Sequence, residues 1–64
     1  MTRLSANQTA LIAGWCAGRE ILGDRVTADE VKAACRELGI ENDGDFDLYD
    51  IKEVGEMVKD SNDN

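Results

Sequence analysis

VTADEVKAACRELGI, residues 26–40, decides the fold. Thr27 and Glu30 stand three apart, the spacing of a capping box: the hydroxyl accepts from the Glu30 amide and the glutamate reaches back to the Thr27 amide. Val26 before the cap and Val31 after the first turn supply the hydrophobic staple. Val31, Ala34, Cys35 and Leu38 then recur at i, i+3, i+4 and i+7, one apolar stripe along a helix. Gly39 follows as a left-handed stop, and Ile40 is placed to fold back on Cys35. Start, face and stop all agree.

Working outward, the same punctuation recurs on both sides. Ser5 and Gln8 form another capping box, opening a helix that should run over 5–22 with Gly23 as its stop. Asp47 caps a third helix over 47–59, with Asp50 at the third helical position and a Phe46–Ile51 staple. Its apolar stripe is Leu48, Ile51, Val54, Gly55 and Val58, and residues 60–64 read as a frayed polar tail. The chain contains no proline, and its β-branched residues do not alternate with polar ones, so strands are not expected. The predicted fold is all-α: one compact three-helix domain spanning 1–64, helices near 5–22, 27–38 and 47–59, with an acidic loop between the second and third.

The first helix has its own signature. Leu4, Leu11, Trp15 and Leu22 cluster on a 100° wheel with Ile12 and Cys16 beside them, and Ala10, Gly14, Ala17, Gly18 and Ile21 occupy the other side. A helix apolar nearly all round is normally buried on more than one side. Each helical glycine costs about 1 kcal/mol against alanine, so Gly14 and Gly18 imply a close neighbour. Ala10, Gly14, Gly18 and Ile21 are therefore a candidate packing face, either for the third helix, with Gly55 at the crossing, or for a second copy in a homodimer.

Charge divides the molecule in two. Residues 1–40 carry five acids and five bases. Residues 41–64 carry nine acids against Lys52 and Lys59, which is the whole net charge of −7. A field of one sign draws cations or basic surfaces and repels nucleic acid and anionic membranes. On the third helix Tyr49 and Met57 stand among Asp50, Glu53 and Glu56, away from the apolar stripe. Carboxylates that steer, with an aromatic anchor, suit a basic protein surface. The candidate partner-binding residues are Asp43, Asp45, Asp47, Tyr49, Asp50, Glu53 and Glu56.

Residues 41–50 also resemble the second half of an EF-hand calcium loop. Gly44 falls on the turn glycine, Phe46 on the hydrophobic position, and Glu41, Asp43, Asp47 and Asp50 on ligand positions, with a helix on either side. The resemblance implies a divalent-cation-binding helix–loop–helix, with those four carboxylates as calcium ligands. The departures are Gly39, where the first carboxylate belongs, and Asp50, which is shorter than the usual bidentate glutamate.

Several classes are disfavoured. Histidine is absent, which removes the commonest general base and metal ligand. Cys16 and Cys35 fall on apolar helical positions and read as reduced core residues, not as a zinc site or disulfide framework. No phosphate-binding glycine loop or nucleophile–base arrangement is present, so neither enzyme activity nor a cofactor is expected. A recognition helix carrying Asp47, Asp50, Glu53 and Glu56 would be repelled by phosphates, which argues against direct nucleic-acid binding. Residues 1–23 lack the pattern of a signal peptide and no segment is apolar enough for a bilayer, so a cytoplasmic location is expected. In size and charge the chain is similar to phage- or mobile-element-encoded inhibitors of nucleic-acid enzymes. The expectation is a small acidic regulator or inhibitor that docks on a basic surface of a partner protein, such as one that holds nucleic acid. The alternatives are the cation-binding loop and a structural homo-oligomer subunit.

Overall fold

Three α-helices and one 3₁₀ turn make up a computed structural model that describes residues 4–42 and 44–62: α1 (Ala6–Gly18), the turn Gly23–Arg25, α2 (Ala28–Leu38) and α3 (Leu48–Asn62). The helix read from residues 26–40 is present with both its ends. Thr27 Oγ1 accepts from the Glu30 amide at 3.4 Å, and Val31, Ala34 and Cys35 face the interior. Gly39 takes the left-handed conformation with φ 71°. The Ile40 amide reaches back over it to the Cys35 carbonyl at 2.8 Å. That bond closes a Schellman motif, and half-buried Ile40 packs on the core.

α1 starts as predicted and ends early. Ser5 Oγ accepts from the Gln8 amide at 3.1 Å, and Gln8 Oε1 accepts from the Ser5 amide at 3.0 Å. The stop, however, is Glu20 and not Gly23. Glu20 is left-handed with φ 59°. The Ile21 amide donates to the Cys16 carbonyl at 2.8 Å, and the Glu20 amide to the Ala17 carbonyl at 3.0 Å. These are the bonds of a Schellman motif with a glutamate where glycine is preferred. The predicted span to Leu22 is thus too long by four residues. A helix continued at 100° per residue would have carried Ile21 outward, onto the side of Ala10 and Gly14. Breaking after Gly18 turns Ile21 onto the core instead. Gly23 keeps a positive φ of 56°, but it opens the 3₁₀ turn that leads to Val26.

α3 is longer than predicted. Asp47 Oδ1 accepts from the Tyr49 amide at 2.9 Å, confirming the cap. At the other end Asp60, Ser61 and Asn62 remain helical, so the predicted frayed tail from 60 onward is corrected as far as Asn62. Nothing in Lys59–Asp60–Ser61–Asn62 obliges the backbone to leave the helix, since neither glycine nor proline occurs there.

α1 is the central element, and α2 and α3 both pack on it. The interior is small: Ile12, Ala13 and Cys16 from α1, Val26, Val31, Ala34 and Cys35 from α2 and its approach, and Ile51 from α3. Trp15, Ile21 and Phe46 are among the half-buried side chains around it. The close helix crossing is at Gly55, which is buried. A Cβ there would lie 3.4 Å from Leu22 Cδ2 and 4.0 Å from the Ala13 carbonyl oxygen. A Cβ on Gly14 or Gly18 would meet nothing within 4 Å. The third helix therefore crosses on the Ala13 side, not on the predicted small-residue face, and Ile21 is withdrawn from that face.

Candidate functional site

The outward face of α3 gathers the features that point to binding. Turning Leu48, Ile51, Val54, Gly55 and Val58 inward leaves Tyr49, Glu53, Glu56 and Asp60 in one outer row, at spacings of three and four. Tyr49 is 72% exposed and Met57 64% exposed. Together with Lys52, Glu53, Glu56 and Asp60 they line a shallow groove of about 370 Å³ along the helix. Spanning Tyr49 to Asp60, the row is roughly 16 Å long at the α-helical rise. Its lining offers the Tyr49 phenol, the Met57 thioether, three carboxylates and one ammonium.

Of the predicted partner-binding residues, the structure brings Tyr49, Glu53 and Glu56 together. Asp50 is exposed but does not line the groove. Asp47 uses an oxygen as the α3 cap, and Asp45 is half-buried in the loop, where its carbonyl accepts from Asn42 Nδ2 at 3.3 Å. Asp43 lies outside the described residues. Asp60 is not among the predicted residues, because a tail beginning at 60 hides its place four residues beyond Glu56 and hence on the same face.

Between α2 and α3, Asn42, which the charge pattern does not single out, bonds to Gly44 and Asp45. Asn42 Oδ1 accepts from the Gly44 amide at 2.8 Å, an Asx turn. Gly44 takes φ 99°, which only glycine adopts without strain. An asparagine two positions before a glycine is the signal that could have found it. Among the described residues no three acidic or cysteine side chains converge as a metal site, so Glu41, Asp47 and Asp50 do not gather around one point.

A second concavity lies between α2 and the loop. It is a cleft of about 460 Å³ lined by Cys35, Ile40 and Phe46 together with the Lys32 and Arg36 cations and the Glu41 carboxylate. Its walls come from two separate segments, which is why no local pattern in the sequence announces it. The Cys35 thiol is pushed above its ordinary value by burial. Cys16 is pushed the same way, chiefly by burial and secondarily by the Glu30 carboxylate, with Arg19 opposing. Both cysteines are free and buried, and thiols held neutral in this way are poor nucleophiles.

The outer side of α1 is open. Ala10 and Gly18 are exposed and Leu11 is 55% exposed. Beside it Arg19 folds over Trp15, its guanidinium carbon 3.9 Å from the ring centroid, while Arg19 Nη1 donates to the Trp15 carbonyl at 3.2 Å. Among the described residues no helix is long and apolar enough to cross a membrane. Comparison with protein-family models, with curated proteins and with solved structures finds no match to this chain.

Proposed function

We propose that this protein is a small acidic binding module, a regulator or inhibitor that docks the outer face of α3 on a basic surface of a partner protein. A partner surface that otherwise holds nucleic acid suits the charge best, because nine carboxylates in residues 41–64 present to it the sign that a phosphate backbone would. One observation carries the proposal: Tyr49 and Met57 are more than half exposed in the same groove as Glu53, Glu56 and Asp60. Buried aromatic and methionine anchors supply contact energy, and the surrounding carboxylates supply steering and register.

The test uses the intact chain as bait, beside a variant carrying Glu53→Gln, Glu56→Gln and Asp60→Asn. A basic protein retained by the natural chain, lost by the variant, and released as salt rises from about 50 to about 200 mM is the expected result. Addition of the chain should also reduce that partner's affinity for nucleic acid. Retention of the same partner by the amide variant contradicts the proposal.

A second role, as a homodimer subunit, is favoured by the exposed Leu11 beside Ala10, Gly14 and Gly18 on α1. Sedimentation equilibrium of the natural chain and of Leu11→Glu decides it. Dimer mass lost in the variant supports that role, and monomer mass in both ends it.

A further inference from the structure

We infer that the α3 groove receives an arginine side chain of the partner, with its guanidinium stacked on Tyr49 and paired to Glu53. The inference rests on the docking role proposed above and names the group that docks. α1 shows within this molecule what an aromatic residue does with a cation one helical turn on: Arg19 lies over Trp15, four residues before it, at 3.9 Å. Tyr49 on α3 also has an i+4 neighbour, but that residue, Glu53, is a carboxylate and not a cation. Among the described residues no cation is stacked on Tyr49, and the residue is 72% exposed. The α3 arrangement is thus the α1 arrangement with its cation replaced by a cation acceptor, which suits a cation supplied by the partner.

Arginine fits better than lysine. A guanidinium is planar, weakly hydrated and able to stack on a ring face while its edge donates two parallel hydrogen bonds to a carboxylate. An ammonium offers a point charge and keeps its water. Glu56, one turn beyond Glu53, extends the carboxylate row, and Met57 gives the arginine's aliphatic stem an apolar surface. Lys52 borders the groove on one flank. It stands against three carboxylates, so the local balance still favours a cation.

The experiment is an amide NMR titration of the 64-residue chain at about 50 mM salt with two short amidated peptides, one alternating arginine with alanine and the other lysine with alanine. The expected result is at least about threefold tighter binding of the arginine peptide, with the largest shifts at Tyr49, Glu53, Glu56 and Met57. Tyr49→Leu keeps the charge and an apolar side chain at an exposed position. It should still bind both peptides, but with the preference for arginine reduced to less than about twofold. Equal affinity of the natural chain for the two peptides overturns the inference and leaves the acidic docking role standing. A preference that survives Tyr49→Leu overturns it as well. Absence of binding by either peptide removes the docking role and the inference together.

Discussion

Glu20 and Gly39 occupy the same place in two copies of one motif, and the comparison isolates what a side chain costs there. Both have left-handed backbones, with φ 59° and 71°, and in both the following amide bonds five residues back at 2.8 Å. A Cβ in that region meets the neighbouring carbonyl and costs about 1 kcal/mol, which glycine avoids. Glu20→Gly should therefore stabilise the fold by about 1 kcal/mol, and Gly39→Ala should destabilise it by a similar amount. Urea midpoints of the two variants check both signs at once. A loss of stability in Glu20→Gly would mean that the Glu20 side chain supplies a compensating interaction. The buried thiols give a second prediction at this scale. Burial raises both above the ordinary thiol value of 9.0, so the unfolded chain ionises first and stability falls as pH rises past that value. Cys16→Ala should show a shallower loss between about pH 8 and about pH 10 than the natural chain, read as the difference between their urea midpoints.

At the scale of elements, the three helical glycines differ in what surrounds them, since only Gly55 has a neighbour that a Cβ would meet. A Cβ on Gly55 meets Leu22 Cδ2 at 3.4 Å, a contact distance. Gly55→Ala should stay within about 0.5 kcal/mol of the natural chain, the gain in helix propensity offsetting a tight contact. Gly55→Leu has nowhere to go and should cost about 2 kcal/mol or more. Gly14→Ala places its Cβ in open space and should stabilise the monomer by up to about 1 kcal/mol through helix propensity. Thermal unfolding of the three variants orders them. The same contrast shows how much is legible in the residues alone. The ends of α2 are readable because each signal lies within four residues of its partner: Thr27 with Glu30, Gly39 with Cys35 and Ile40. The end of α1 is not, because it depends on where Ile21 can be buried, a tertiary demand that overrides the local reluctance of Glu20 to turn left-handed. The outer row of α3 follows from its period, which yields Tyr49, Glu53 and Glu56. Asp60 belongs to the same row and escapes only a helix that is stopped too soon. The crossing at Gly55 is anticipated, but its partner is Ala13 and not Gly14 and Gly18. No local spacing says which side of a nearly all-apolar helix a neighbour will choose.

For the whole molecule, the question is whether the acidic face serves the fold or works against it. The core has eight buried apolar residues among those described, and four of them are alanine or cysteine. So small an interior leaves little stability to spare. Crowding like charges at one end draws on that reserve through self-repulsion. Asp60 adds to the cost, since it lies in the last turn of α3, where the helix dipole favours cations. Changing Glu53, Glu56 and Asp60 to their amides removes three of seven net negative charges and disturbs no buried side chain. The fold should become more stable, its thermal midpoint rising by roughly 4–8 °C for each kcal/mol of repulsion relieved. Raising the salt concentration should produce part of the same gain in the natural chain and less in the variant. Binding to a cationic partner should fall at least about fivefold in that same variant, since three exposed ion pairs of several tenths of a kcal/mol each sum to about 1 kcal/mol or more. Differential scanning calorimetry and the peptide titration, run on one preparation, read the two effects together. Stability and binding moving in opposite directions would identify these carboxylates as a cost the fold bears for the sake of recognition. If both fell together, the outer face of α3 would belong to the architecture of the molecule instead.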